Sequence, residues 1–208
     1  MKKNFLLFFV LALFCFGIVT KQASAALTLL GTGSAIASTS ANTTAAINTT
    51  GASLIVIQAS RFTAIPVAPT DSQGNTWTPL SVHNDGGGSE ETQYYYVCAP
   101  STASTQTFSV GGVGITTPET ILVAAYSGTA TSNCYDTGTD KGGKTTSGTT
   151  ALPSITPSQS GDLVVSGVAE NTGSNDTFIS VNQGLTVVAS TTVAPTRLAW
   201  TQYNSTSP

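Results

Sequence analysis

Charged side chains are scarce in this chain. Asp, Glu, Lys and Arg make up 8% of its 208 residues, and the formal net charge is −3, whereas globular proteins usually have about 25% charged residues. A protein that neutralises nucleic-acid phosphates needs clustered Lys and Arg, and the seven basic residues here are spread along the sequence. The composition therefore argues against nucleic acid as a partner, and against an anionic membrane surface as a partner of the mature form.

Histidine is represented once, by His83. A Ser-His-Asp hydrolase would have to use it as the base, with Asp85 or Asp71 as the orienting carboxylate. It lies in the glycine-rich stretch 82–88, and no Gly-x-Ser-x-Gly motif is present. The carboxylates that a glycosidase would need lie mostly in predicted turns, where they are simply solvated. We therefore expect no enzymatic activity and no cofactor.

Long hydrophobic runs are absent except at the N-terminus. Two lysines precede an apolar run over Phe5 to Val19, and Ala23-Ser24-Ala25 has the form of a signal-peptidase site. The run is shorter than the ~20 residues that span a membrane. The sequence predicts a signal peptide at 1–25, a mature chain that begins at Ala26, and a location outside the cell or on its surface.

Cysteine is nearly absent as well, with three residues in total. Removal of the signal peptide removes Cys15 and leaves Cys98 and Cys134. Because an exported chain folds in an oxidising compartment, these two are predicted to form a disulfide. A zinc site is not expected, since no Cys-x-x-Cys spacing exists and histidine is single.

The segment Thr70 to Trp77, with the sequence Thr-Asp-Ser-Gln-Gly-Asn-Thr-Trp, has the residues of a tight turn. Apolar residues at 65–68 and 77–82 flank it, and this pattern predicts a hairpin of two antiparallel strands. Alternate oxygen-bearing residues from Asp71 to Asn75, or Asp136 with Asp140, leave calcium open as an alternative. An Asx turn made by Asp71 explains the same residues without an ion, and we favour it.

The rest of the mature chain is a series of short apolar or alternating segments separated by Gly, Pro, Ser and Thr. Such spacing predicts an all-β fold, an antiparallel β-sandwich that is jelly-roll-like, with an immunoglobulin-like sandwich as the alternative. Residues 26–208 are predicted to form one domain. Ser53 to Ser60 and Ile121 to Tyr126 are apolar throughout, which is typical of strands covered on both faces. Ala26 to Leu30 is predicted to be a first strand, Gly31 to Ala41 a linker, and Thr129 to Gly148 a loop.

The two halves of the chain share short stretches. Residues 50–56 resemble 160–165, and residues 73–77 resemble 183–187, each at a separation of 110 positions. A weaker likeness relates the tyrosine segment 92–99 to 197–203. Chance similarity between Gly- and Thr-rich segments is the alternative. If the repeat is real, the second half ends about two strands early, and we expect either a truncated domain or one that a neighbouring chain completes. The alternative is that the Ala26 to Leu30 segment closes the gap within the same chain.

Three of these segments resemble modules of secreted bacterial and phage-tail-like surface proteins. They are the turn Asp71 to Trp77, the strand that ends in Ala125-Tyr126-Ser127-Gly128, and Gly161 to Val165. The resemblance implies a β-sandwich at a surface without an established catalytic site. It covers turn and core residues, so it transfers no functional residue.

Aromatic residues on strands are the remaining candidates for ligand contact, because exposed rings stack on sugars. Trp77, Tyr95 and Trp200 are the predicted carbohydrate-binding residues, with Tyr95 on the solvent side. We therefore expect a non-catalytic recognition or adhesion module that binds glycans or a surface polymer. The alternative is a structural subunit of an extracellular fibre that associates with copies of itself by strand addition.

Overall fold

The computed structural model describes residues 26–37, 40–84, 90–112, 117–136, 140–142, 154–159, 161–171, 186–192 and 196–204. The predicted signal peptide 1–25 lies outside the described residues, and so does the segment 178–181, whose apolar and β-branched residues predict a strand. The described residues contain strands, turns and bends and no helix, which confirms the all-β prediction. Accordingly, none of them belongs to a helix that could cross a membrane.

Eleven strands are defined within the described residues. They are β1 (Thr28–Ala37), β2 (Asn42–Thr43), β3 (Leu54–Phe62), β4 (Thr70–Asp71), β5 (Thr78–Asn84), β6 (Glu90–Cys98), β7 (Phe108–Val110), β8 (Glu119–Ser127), β9 (Leu163–Asn171), β10 (Thr186–Thr192) and β11 (Thr196–Asn204).

Three antiparallel sheets are formed. The largest has the order β1-β8-β3-β6-β5, and two three-stranded sheets have the orders β10-β11-β9 and β2-β7-β4. The central strands β3 and β8 each pair with a neighbour on both sides. These are the two strands predicted from their continuous apolar runs, which need cover on both faces because successive side chains point to opposite sides.

The five-stranded sheet is covered on both faces. On one face, Ile55 and Ile57 of β3 pack with Phe108 and Val110 of the small sheet, and we call this cluster the Ile55 core. On the other face, Leu54 and Val56 are the centre of the Leu54 core. The residues that the sheet β10-β11-β9 contributes to it are Leu163, Val165, Ala169 and Val188. The antiparallel sandwich is thus confirmed, while the jelly-roll connectivity stays a prediction.

The first strand is longer than predicted. β1 extends to Ala37 and pairs with β8 over most of its length, so the prediction of a linker from Gly31 is wrong. Gly31 and Gly33 lie against Ile47, and a Cβ atom at either position would collide with the Ile47 side chain. Small residues here allow a close approach between chain segments.

The predicted hairpin is also wrong in its pairing. The turn forms where expected, since the Gly74 N–H donates to the Asp71 carbonyl at 3.2 Å and Gly74 has a φ of 69°. However, β4 before it pairs with β7, and β5 after it pairs with β6. The turn therefore carries the chain from the small sheet to the large one, while Val67 before it and Trp77 after it both pack against the Ile55 core.

The sequence repeat is matched by a repeat in topology. β3, β5 and β6 have nine, seven and nine residues, and so do β9, β10 and β11. In both sets the third strand lies between the other two, in the orders β3-β6-β5 and β9-β11-β10. Gly51 before β3 and Gly161 before β9 have φ values of 84° and 87°. These coincidences favour an internal repeat over chance similarity.

An irregularity of pairing is repeated too. The register of β5 on β6 shifts between Pro79 and Val82, and that of β10 on β11 shifts between Val187 and Ala189. A β-bulge changes the local twist of a strand and is a specific feature rather than a random one. The correspondence of β5 with β10 therefore rests on more than strand length.

Candidate functional site

The turn residue Asp71 is the centre of a polar network. Its Oδ1 accepts hydrogen bonds from the Gln73 N–H, from Asn75 Nδ2 and from Gln106 Nε2, at 2.8, 3.1 and 2.9 Å. Its Oδ2 accepts a bond from Trp77 Nε1 at 3.1 Å. The bond to the Gln73 N–H makes an Asx turn, so that interpretation is confirmed. Because its carboxylate accepts four hydrogen bonds, Asp71 stabilises the structure of the turn.

The same network ties three chain segments together. Gln106 is fully buried, and its Oε1 accepts a bond from the Thr49 hydroxyl. The Asn75 side chain bonds both to the Ser101 N–H and to the Ser101 carbonyl, at 2.8 and 3.0 Å. Buried polar groups need such partners because an unsatisfied one costs about 1–3 kcal/mol. The conspicuous turn motif therefore has a structural role.

The Trp77 ring is not freely available to stack on a sugar. It is half-buried at the margin of the Ile55 core. Its ring meets Phe108 edge-on, with centroids 6.1 Å apart and planes at 66°. With the indole N–H bonded to Asp71, the side chain is held on both its apolar and polar sides.

Tyr95 is a core residue, and the prediction that it faces solvent is wrong. It is 4% exposed, and its hydroxyl donates to Gln93 Oε1 at 2.7 Å, with the Pro66 carbonyl as a second acceptor at 3.2 Å. Burial, together with the nearby Glu119 carboxylate, raises the pKa of Tyr95 to about 12. The error has a simple cause: both faces of the five-stranded sheet are covered, so neither face of β6 is a solvent face.

Trp200 lies in β11, opposite Gly167 of β9 and Ala189 of β10. Its side chain lies outside the described part of the chain. Its role in carbohydrate binding stays a prediction, and the structure does not bring it together with Trp77 and Tyr95 in one described surface.

A different aromatic pair is formed near the disulfide. Tyr96 and Tyr135 stack with centroids 5.8 Å apart and planes at 27°. The predicted disulfide between Cys98 and Cys134 is confirmed, with Cα atoms 6.1 Å apart. Since the disulfide joins the end of β6 to the segment after β8, it holds Tyr135 over Tyr96. Both rings are half-buried. Sequence reasoning missed this pairing because residue 135 lies in a segment without any periodic pattern.

His83 has a carboxylate partner, which is neither Asp85 nor Asp71. His83 Nε2 lies 2.7 Å from Asp140 Oδ1, and the Ser81 N–H donates to Asp140 Oδ2 at 2.8 Å. Burial raises the pKa of Asp140, but the bonds from His83 and Ser81 outweigh it, so the net effect is a lowered pKa. The other side of the imidazole contacts Gly142, where a Cβ atom would collide with Nδ1. Both sides of the ring thus hold the 140–142 segment against β5.

One buried carboxyl has a strongly altered pKa. Glu119 is fully buried, its Oε1 accepts the Val67 N–H at 2.7 Å, and its Oε2 has no hydrogen-bond partner within the described residues. Burial raises its pKa to about 7, against the opposing effects of the Val67 bond and the Arg61 charge. Arg61 lies opposite Glu119 in the β3–β8 register. This arrangement connects the loop before β4 to the central sheet.

Polar groups also lie between the large sheet and β9. Gln58 is fully buried, and its Oε1 accepts a bond from the Tyr94 hydroxyl at 3.4 Å. Gly167 lies directly over this pair, since a Cβ atom there would collide with both. Burial raises the pKa of the Tyr94 hydroxyl, and Tyr126 and Asp140 raise it further. Glycine at this point permits a close contact between the two sheets.

Metal-ligating residues do not cluster in the described part of the chain, where no group of three His, Cys, Asp or Glu side chains is found. Of the carboxylates that left calcium open, Asp136 accepts the Ser158 N–H at 2.8 Å, and the Asp71 and Asp140 carboxylates accept the hydrogen bonds described above. Each of these loop carboxylates thus has hydrogen-bond partners within the chain.

Comparisons with known proteins give no match: neither a family model, nor a curated protein, nor a solved structure is significantly similar to this chain. The function must therefore be inferred from the residues and their geometry.

Proposed function

We propose that this chain is a non-catalytic recognition or adhesion module of a secreted or cell-surface protein. The proposal rests on the contacts of the two residues with catalytic potential, His83 and Asp71. The His83 ring lies between Asp140 and Gly142, and within the described residues it makes no hydrogen bond to a serine hydroxyl, which a triad requires. Asp71 is likewise occupied by donors from its own turn and from Trp77 and Gln106.

Tyr135 supports binding of a glycan or another surface polymer better than Tyr95, which is buried, and better than Trp77, whose ring is engaged by Asp71 and Phe108. Sugar rings stack on partly exposed aromatic rings, and Tyr135 is half-buried. Its stack on Tyr96 and the adjacent disulfide of Cys134 restrict its motion. Such pre-organisation reduces the entropy lost on binding.

The experiment is a glycan array probed with the mature chain, followed by titration of any glycan that binds. Tyr135→Ala is expected to weaken binding by about fivefold or more, because a stacked ring contributes on the order of 1 kcal/mol or more. Circular dichroism and the unfolding midpoint are expected to stay close to those of the parent. Ile65→Ala is the matched control, since Ile65 is 61% exposed and its loss tests whether any exposed apolar residue matters. Equal affinity of all three proteins would refute the role of Tyr135. If no glycan binds, the glycan proposal itself fails.

The second candidate is the structural subunit of an extracellular fibre. The position of β9 at the edge of its sheet within the described residues favours it, because an edge strand can pair with another chain. Sedimentation of the mature chain at high concentration separates the two candidates. A monomer at all concentrations argues against self-association, and concentration-dependent assembly supports it.

A further inference from the structure

The residues between β3 and β4, which we call the 63–69 segment, are bonded to the large sheet through side chains. The segment has no regular secondary structure, and no hydrogen bond between backbone groups joins it to the rest of the described residues. Three side chains of the five-stranded sheet hold it: Arg61 Nη1 donates to the Ile65 carbonyl at 3.5 Å, the Tyr95 hydroxyl donates to the Pro66 carbonyl at 3.2 Å, and Glu119 Oε1 accepts from the Val67 N–H at 2.7 Å. The bond to Glu119 is the shortest of the three.

The 63–69 segment has the features of a locally weak element. Thr63 at its start has a φ of 56°, in the left-handed region that β-branched residues rarely adopt. Ile65 is 61% exposed, although Val67 packs against the Ile55 core. A segment outside the strand ladders, with a strained residue at one end, is expected to open at a lower free energy than the sheet beneath it.

The carboxyl group that holds Val67 is poorly suited to carry a charge. Glu119 is fully buried, and its Oε2 has no hydrogen-bond partner within the described residues. Burial raises its pKa to about 7, although the bond to Val67 and the charge of Arg61 both lower it. The cost of burying the charge therefore exceeds the benefit of a stronger bond to Val67.

The other charged or titratable groups around Glu119 come from β3 and β6. Arg61 lies opposite Glu119 in the β3–β8 register, and Tyr95, whose pKa is about 12, stays neutral below pH 8. Glu90 and Glu91 of β6 are opposite the last two residues of β3. Neither β1 nor the segment itself contains a titratable side chain. Glu119 both bonds to the segment and changes its charge near neutral pH.

We propose that the 63–69 segment is a pH-sensitive flap, which lies closed on the five-stranded sheet while Glu119 is protonated and opens when Glu119 ionises. In the open state water solvates the carboxylate, so its pKa returns towards the ordinary value. Opening then releases a proton, and a step that releases a proton becomes more favourable as the pH rises. The strands of the large sheet stay paired, because the segment takes no part in their ladders. The inference does not rest on glycan binding or on self-association.

The experiment is amide hydrogen exchange of the disulfide-bonded mature chain between pH 5 and pH 8, with each rate divided by that of an unstructured peptide at the same pH. The Val67 N–H reports the flap because it is the group bonded to Glu119. Its protection is expected to fall by more than about tenfold over this range. The same measurement in low concentrations of urea separates flap opening from global unfolding.

Local opening exposes little surface, so urea should leave the exchange of Val67 nearly unchanged. Ile57 is the internal control, since it is fully buried in β3 and both edges of that strand are paired. The Ile57 amide should exchange more slowly than that of Val67 and should respond to urea. These measurements need no variant of the protein.

Two variants identify the titrating group. Glu119→Gln keeps an acceptor for the Val67 N–H, and its Val67 protection should differ by less than about threefold between pH 5 and pH 8. Tyr95→Phe is the matched control, because it removes the bond to the Pro66 carbonyl but no group that titrates in this range. It should lower the protection of Val67 by a similar factor at both pH values.

Three results would overturn the proposal. One is a parent protein whose Val67 protection is the same at pH 5 and pH 8. Another is a full pH dependence of Val67 exchange in Glu119→Gln, which would assign the effect to another group. The third is Val67 exchange that responds to urea as strongly as that of Ile57, because the segment then opens only when the whole protein unfolds.

Discussion

β3 and β9 are strands of equal length with corresponding neighbours, yet they occupy different environments. β3 lies at the centre of a five-stranded sheet with cores on both faces, and β9 is at the edge of a three-stranded sheet. Their sequences are almost equally apolar, but Leu54 to Ser60 of β3 are buried, whereas Leu163 to Ala169 of β9 are half-buried. The comparison shows that an apolar sequence does not by itself bury a strand. Burial also requires a paired strand on each side and a layer of protein over each face.

The turn before the next strand shows a second difference between the copies. Asp71, Asn75 and Trp77 form a bonded network in the first copy. At a separation of 110 positions the second copy has Val181, Leu185 and Val187. The side chains that connect the turn to the small sheet are thus specific to the first copy, and the stability of that copy should depend on them.

The largest expected effect contrasts the corresponding core positions Ile55 and Val165. Ile55→Ala should lower the free energy of unfolding by about 2–5 kcal/mol, because Ile55 is 0% exposed and its loss leaves a cavity. Val165→Ala should cost less than half as much, since Val165 is half-exposed. Urea unfolding of both variants measures the difference. Equal losses would contradict the claim that the two strands are unequally covered.

The disulfide is the next largest effect. A double replacement, Cys98→Ser with Cys134→Ser, should lower the free energy of unfolding by about 3–4 kcal/mol, given the loop of 36 residues that the bond closes. No cysteine follows Cys134, so the second copy has no equivalent constraint. Hydrogen exchange should therefore rise first at the end of β6 and after β8. A loss below about 1 kcal/mol would show that the bond is dispensable.

Glu119 should give the protein a pH-dependent stability. Its pKa in the folded state is about 7, above its ordinary value, so the unfolded chain loses its proton at a lower pH than the folded one. The effect of Glu119 on the free energy of unfolding is therefore most favourable below about pH 4.5. The free energy of unfolding falls as the pH rises towards 7, by on the order of 3 kcal/mol.

Glu119→Gln keeps an acceptor for the Val67 N–H and removes the titration. The variant is expected to unfold with nearly the same free energy at pH 5 and pH 8, whereas the parent should be less stable at pH 8. Denaturant titrations at the two pH values test this. An identical pH dependence in parent and variant would assign the effect to another group.

The smallest effect concerns the turn network. Asp71→Asn replaces one carboxylate oxygen by an NH₂ group, which opposes a donor such as Trp77 Nε1 and should cost roughly 1–3 kcal/mol. Asp162→Asn is the matched control, because Asp162 accepts one bond, from the Gln159 N–H, in an exposed turn of the second copy. It should change stability by less than about 0.5 kcal/mol. Equal effects in thermal unfolding would mean that the network adds nothing to a simple turn.

Much of the local structure could be predicted from the sequence. The continuous apolar runs placed β3 and β8 correctly at the centre of a sheet, because only a strand with two covered faces can be apolar throughout. The Asx turn could be predicted from its residues, since Asp hydrogen-bonds to the nearby backbone and Gly adopts the positive φ that such a turn needs. The disulfide followed from the number of cysteines that remain after the predicted cleavage.

Side-chain orientation and long-range partners were decided by the tertiary structure. Alternation along β6 separates Tyr95 from Tyr94 and Tyr96, but it does not reveal that a layer of protein covers each side. The partner of His83 is 57 positions away, in a loop without periodicity, so no local pattern points to it.

By itself, the sequence determined that β3 and β8 are buried strands, where the turn lies and which cysteines pair, since these depend on neighbouring residues and residue counts. Only the tertiary structure decided that the turn joins two sheets, that Tyr95 is in the core and that β1 continues to Ala37. Each of these depends on which strand lies beside or above another. Strand pairing uses backbone groups common to all residues, so the identity of a strand's neighbour is not recorded in its own sequence.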